Sequence, residues 1–170
     1  GLFADGRFDT VAALARHPLL DPLEMHNRSE ADIARKLRTA PYADGFKRAF
    51  GPDVFRTTAG ALAALGAAMD AFLQSREMAP FSSRYDAWVQ GRAQLSPQEL
   101  RGLKLFKDPD RGNCASCHKF NETSSNPARS LFTDFGYDAV AVPRNRAIPA
   151  NRDPRHFDAG LCATGRAKGW

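Results

Sequence analysis

Within Gly112-Asn113-Cys114-Ala115-Ser116-Cys117-His118, two thiols and an imidazole fall inside five consecutive residues. Cys-x-x-Cys-His is the attachment signature of a c-type haem. Its logic is local. Two thiols three residues apart, on one turn, can add to the two vinyl groups of one porphyrin, and the next residue places its imidazole beneath the iron. Covalent attachment holds the macrocycle even where little chain surrounds it, while the proximal histidine sets the iron's electronics together with the other axial ligand and burial. The motif therefore predicts one haem c, bound through Cys114 and Cys117, with His118 as the metal ligand.

Two other chemistries use similar spacing. Cys114 and Cys117 also have zinc-ligand spacing, and Cys162, His118 or His156 could complete four ligands, which would make the chain a zinc-stabilised interaction module. Against zinc, there is no second Cys-x-x-Cys and no His-x-His pair, and His118 is awkwardly adjacent to Cys117. A thioredoxin-like redox pair would need a βαβ setting that the sequence lacks. Three cysteines cannot form a self-contained disulfide framework. Cys162 then reads as a packed small hydrophobe or an unpaired thiol. Spacing leaves the sixth iron ligand open among Met25, Met69, Met78, His17, His26 and His156. One haem without substrate chemistry would make a mono-haem electron carrier.

The 170 residues make one ordinary domain or two small or incomplete ones, and 43% hydrophobic with 25% charged residues is a globular composition. The longest apolar stretch, Ala59 to Met69, is 11 residues long and closed by Asp70, well short of the ~20 needed to cross a bilayer, so no membrane span is expected. A net charge of +5 permits an anionic partner. No nucleic-acid motif accompanies it, so no nucleic-acid partner is expected. The basic residues cluster only at Arg144, Arg146, Arg152 and Arg155, which could pair with haem propionates. The chain starts at Gly1, with no signal-like segment before the folded pattern, and reads as processed or excised.

Helix signals fill the first two thirds. Asp9 can cap a short helix carrying Val11 and Leu14, stopped by His17-Pro18. Ser29 with Asp32 opens a second, ended by Ala40-Pro41, and Phe46 and Phe50 mark a third that stops at Gly51-Pro52. From Thr58 to Arg76, Leu62, Leu65, Met69, Phe72 and Leu73 follow the spacing of one buried stripe, with small residues around it; this predicts a central helix, with Met69 in its core. Tyr85, Trp88 and Val89 form another helical set before Gly91, a boundary between two units. Ser96-Pro97-Gln98-Glu99 is a capping box with proline at the first helical position. Behind it Leu100, Leu103 and Phe106 share a face against which a cofactor could lie. Residues 119 to 170, with Pro127, Pro143, Pro149 and Pro154, show no sustained period and predict an extended, loop-rich segment. The predicted class is all-α: a cytochrome c-like helical haem domain plus part of a second helical domain, with long irregular loops.

Several segments together resemble the bacterial di-haem cytochrome c peroxidase and MauG-like superfamily. Phe3-Ala4-Asp5-Gly6-Arg7 is similar to the family's Phe-Trp-Asp-Gly-Arg, and Pro18 and Glu24-Met25 follow at matching spacing. Ser83-Arg84-Tyr85-Asp86 and Gly91 resemble the linker into the second haem domain, and Gly102-Leu103-Lys104-Leu105-Phe106 precedes the haem motif as in the family. Leu131 to Phe135, Val142-Pro143-Arg144-Asn145 and Asp158 to Cys162 resemble the MauG-type branch. Ala4 departs from the pattern where the family usually has a tryptophan between the haems, and Leu14 replaces a common glutamine.

The resemblance implies that residues 1–90 are part of an N-terminal peroxidase domain whose own haem motif lies outside this chain. Residues 91–170 would be part of the C-terminal haem domain. It implies a second haem in the complete protein, hydrogen peroxide as substrate, and Glu24 as the catalytic carboxylate. Heterolysis of an O–O bond needs a proton moved from the near oxygen to the leaving one, a task for a positioned acid/base group. In the MauG-like variant the oxidising equivalents act on a protein side chain instead. The electron donor implied is a small protein such as a cytochrome c or cupredoxin. The same resemblance places the protein in the periplasm and allows a calcium ion between the domains and a homodimer, and it marks this chain as an internal or truncated fragment.

Overall fold

The computed structural model describes residues 1–166. Among the described residues seven α-helices follow one another: α1 (Val11–Leu14), α2 (His17–Leu20), α3 (Glu30–Thr39), α4 (Ala43–Phe50), α5 (Thr58–Leu73), α6 (Arg84–Val89) and α7 (Pro97–Lys107). Among the described residues the extended backbone makes only an isolated bridge between Leu2 and Phe8. After α7 the chain is irregular, broken by short 3₁₀ turns at Cys114–Ser116, Pro127–Arg129, Pro149–Arg152 and Gly160–Thr164, as its prolines and aperiodic pattern predict. The chain divides into two compact units. One is Gly1–Met78 with the segment from Pro143; the other is Ala79–Val142. Gly91 lies inside the second unit, just past α6, at φ 72°.

The first unit is organised by α5. Thr57 caps it, its hydroxyl accepting from the Gly60 N–H, and Ala61 and Leu62 are fully buried. α5 packs on α1 and α3, with Ile33, Leu37, Val54 and Phe55 completing the core. The buried stripe expected through Leu62, Leu65, Met69, Phe72 and Leu73 holds only for its first residues. Met69, Phe72 and Leu73 are 38%, 46% and 39% exposed, and Met69 is not core. The helix buries its small residues instead, because backbones can approach closely only where side chains are short. At Gly66 an added Cβ would lie 2.9 Å from the Ala12 Cβ. Helix propensity favours alanine over glycine by about 1 kcal/mol, whereas overpacking costs about 1–3 kcal/mol, so Gly66→Ala is expected to cost at most about 2 kcal/mol. Gly66→Val, with a smaller offset and a bulkier side chain, is expected to lower stability by about 2–3 kcal/mol in urea unfolding.

Two helix starts differ from the sequence reading. Thr10, not Asp9, caps α1, its hydroxyl accepting from the Ala13 N–H at 3.2 Å. Pro18 does not stop the chain but sits in the first turn of α2, where a missing N–H costs nothing. Ser29 caps α3 as expected. In the second unit α6 opens with a capping box between Ser83 and Asp86, and α7 with the expected one, in which the Glu99 carboxylate accepts from the Ser96 N–H at 2.6 Å.

That N–H holds the Glu99 carboxyl below the ordinary carboxylate range. The folded value lies below the unfolded one, so the contact stabilises fully above the unfolded value and is lost as pH falls through the folded value. The stability advantage of the native chain over Glu99→Gln is therefore expected at neutral pH and to shrink as pH falls below the ordinary glutamate value of about 4.3, read from unfolding midpoints along a pH series.

Candidate functional site

The Cys114–His118 turn is built by the end of α7. Asp108 caps that helix, and its carbonyl accepts from the Asn113 N–H at 2.8 Å, turning the chain back. Gly112 passes so close to the Leu105 carbonyl that a Cβ would collide with it. Asn113 takes left-handed backbone at φ 49°, which asparagine tolerates better than most residues. The Cys114 carbonyl then accepts from the N–H groups of Cys117 at 3.3 Å and His118 at 2.9 Å. Cys114, Cys117 and His118 thus share one turn, all exposed, with both thiols free.

The imidazole of His118 is oriented. Its Nδ1 lies 2.9 Å from the Phe132 carbonyl, which can only accept, so Nδ1 carries the proton and Nε2 is left with its lone pair. An N–H committed to a backbone carbonyl is how a metal-binding histidine is commonly aimed and its tautomer fixed. Phe132 supplies that carbonyl from left-handed backbone at φ 55°, an unusual conformation for a large side chain. Its ring is held by neighbours: stacked on Phe120 at 5.5 Å, and edge-on to Tyr85 at 5.0 Å and Phe106 at 5.9 Å. On α7, Leu103 and Phe106 are half-buried, while Leu100 and Leu105 remain exposed apolar surface. Two free thiols, an aimed Nε2 and adjacent apolar surface fit a haem attached through both cysteines. They fit zinc less well. Within the second unit no close group of three or more ligating side chains contains both Cys114 and Cys117.

Glu24 lies in the first unit, on a loop folded back over α2. The Met25 N–H donates to the Pro18 carbonyl at 3.0 Å, the Asn27 N–H to Leu19 at 2.9 Å, and the Glu24 N–H to Asp21 at 3.1 Å. The backbone is fixed while the Glu24 side chain stays exposed. One polar side-chain atom from each of His17, Asp21 and Glu24 lies within 4.8 Å of the other two. Arg7 reaches the same place, with Nη1 3.4 Å from His17 Nε2, and is itself fixed by Asp5 at 2.7 Å. The Arg7 guanidinium holds the Asp5 carboxyl below its ordinary range; Asp5 first, then Asp21 and Glu24, raise Arg7 in turn. Sequence reading marked Glu24 as the acid/base group, His17 only as one of six possible iron ligands and Arg7 only as part of a family segment, and gave Asp21 no role. The signal available was the four-residue spacing of His17 and Asp21 across one helical turn.

Of the remaining candidates, Met25, Met69 and Met78 are all exposed. Arg144, Arg146 and Arg152 line a cavity of about 590 Å³ with Asn151 and Pro154. Arg155 pairs with Asp153 at 3.2 Å instead.

Two thiols and an aimed imidazole on one exposed turn of a helical chain is the arrangement by which a cytochrome c-like fold presents its attachment motif. Residues 1–94 match the family described as di-haem cytochrome c peroxidase, and the chain belongs to that family. The methylamine utilization protein MauG of Paracoccus denitrificans is 32% identical over 166 residues, covering 96% of this chain and 42% of that protein. The cytochrome c peroxidase Ccp of Escherichia coli is 29% identical over 127 residues, 68% of this chain and 23% of its own length. Among solved structures, the diheme peroxidase BthA of Burkholderia thailandensis superposes with a TM-score of 0.88 at 61% identity, over 97% of this chain and 40% of that one. The chain therefore spans about two fifths of the length of MauG and BthA. The all-α fold and the family resemblance are both borne out, and no helix among the described residues is long and apolar enough to cross a membrane.

Proposed function

We propose that this chain is part of a di-haem peroxidase and carries two of its working parts. One is the attachment turn of a c-type haem: Cys114 and Cys117 as the thioether anchors and His118 Nε2 as the iron ligand. Haem bound there supplies a one-electron relay between a small donor protein and a second haem, at which hydrogen peroxide is reduced. The other part is Glu24, the acid/base group of the peroxide site. By this reading residues 1–90 belong to the peroxidase domain and 91–170 to the electron-entry domain. The protein works in the periplasm, because bacterial haem attachment to cysteines takes place outside the cytoplasm.

The chemistry required of the chain is modest. The Phe132 carbonyl holds the His118 proton on Nδ1, leaving Nε2 as the nitrogen that would ligate iron. The anchored loop holds the Glu24 backbone still, with Arg7 on the same side-chain cluster. The net reaction takes hydrogen peroxide, two electrons and two protons to two waters.

The observation that carries this reading is the committed Nδ1 proton of His118 beside two free thiols. Its test uses the complete polypeptide, with both haems reduced and then mixed with hydrogen peroxide. The expected result is oxidation of two haem equivalents per peroxide consumed. Reduced haem that stays reduced in the presence of peroxide would overturn it and leave a simple electron carrier.

A further inference from the structure

His17 has contacts beyond those of a residue that merely begins a helix. Its ring packs against Phe3 at 5.7 Å and Phe8 at 5.4 Å, which fixes its orientation. Its Nε2 lies 3.3 Å from an Asp21 carboxylate oxygen and 3.4 Å from the Arg7 Nη1. One nitrogen therefore has both an acceptor and a donor within reach. Protonated, Nε2 donates to Asp21; unprotonated, it accepts from Arg7. Either state keeps a partner, as a group that repeatedly loads and unloads a proton requires. About 31% of the side chain is open to solvent, beside a cavity of about 410 Å³ that His17 lines with Phe8, Arg16 and Asp21. A ligating atom of Glu24 lies within 4.8 Å of the His17 ring nitrogen that shares the cluster, a span that one bridging water can cover.

The reaction needs such a group. When Glu24 moves a proton from the near to the far oxygen of peroxide it ends as it began, and consumes none. The two protons used per turnover must enter from water, while the two electrons arrive from the donor protein. We propose that His17, oriented by Asp21 and Arg7, is the proton-entry residue of the peroxide site. It takes each proton from solvent at Nε2 and hands it to Glu24 across one water. The proposal rests on the reading of Glu24 as the acid/base group. The charged groups around the ring are Arg7, Asp21 and Glu24, with Asp5 bound to Arg7 and Arg16 on the same cavity.

The test compares His17→Ala and Glu24→Gln in the complete two-haem protein. His17→Ala is expected to lower kcat for peroxide about 10²-fold, the low end for a positioned proton-transfer group, with KM unchanged. Added imidazole is expected to restore it, and the loss to deepen as pH rises and solvent protons become scarce. Glu24→Gln is expected to be slow and insensitive to imidazole. In this chain without peroxide, ¹⁵N shifts of the neutral His17 ring are expected to show the proton on Nε2 in Arg7→Ala and on Nδ1 in Asp21→Ala.

Full turnover in His17→Ala beside an inactive Glu24→Gln overturns the relay and leaves Glu24 standing. A slow His17→Ala that imidazole does not restore overturns it too, as a structural effect. Ring shifts that ignore both neighbours remove the two-partner arrangement. An active Glu24→Gln removes the Glu24 reading and the relay with it.

Discussion

Protein carrying Cys114→Ala and Cys117→Ala together is expected to emerge from a host equipped for cytochrome maturation with no covalently bound haem, and with its second unit poorly folded. The first half follows from the chemistry: without either thiol no bond to the porphyrin can form. The second follows from where the core lies. Every buried hydrophobic residue of the core, from Ala15 to Ala64, belongs to the first unit. Between Ala79 and Val142 the apolar side chains that matter, Tyr85, Trp88, Phe106, Phe120 and Phe132, are only half-buried. Such a unit gains much of its stability from whatever its aromatic cluster and α7 pack against, and a group that binds only the folded form stabilises it by mass action. Limited proteolysis is the measurement. Cleavage of the double variant is expected within 79–142 while the first unit resists. Equal resistance of both units would show that the second unit stands without its haem.

Glu24→Gln in the complete protein is expected to lower peroxide turnover by about 10²–10⁴-fold, the usual range for removing a positioned proton-transfer group. The substitution is nearly isosteric and falls on an exposed side chain whose loop is held by backbone hydrogen bonds, so folding and haem content should not change. An amide can still accept a hydrogen bond from peroxide but cannot take its proton. Steady-state peroxide consumption at saturating donor is the readout. Turnover close to that of the native protein would remove Glu24 from the chemistry.

Much of this site was legible before the structure because its signals are local. Two thiols and a histidine on one turn need no tertiary information, and the Ser96–Glu99 box is read from side-chain types at fixed spacing. The resemblance marked Glu24 for the same reason, as a residue at a set distance from Phe3 and Pro18. The acceptor for His118 could not be read, because a backbone carbonyl such as that of Phe132 has no residue code. The buried side of α5 was hidden by a related limit: periodicity weights large side chains, and Ala61, Ala64 and Gly66 carry the contact by being small. His17 was read only as a possible iron ligand, and its pairing with Asp21 was hidden because His17-Pro18 reads as a stop; the chain instead starts a new turn there and brings Asp21 beside the imidazole.

The most direct test is the intact mass and absorption spectrum of this chain after production in a cytochrome-maturing host. One added haem per polypeptide is predicted, with a Soret band that stays with the protein through denaturation and disappears in the double cysteine variant. Colourless protein of unmodified mass, or stoichiometric zinc in its place, would contradict it.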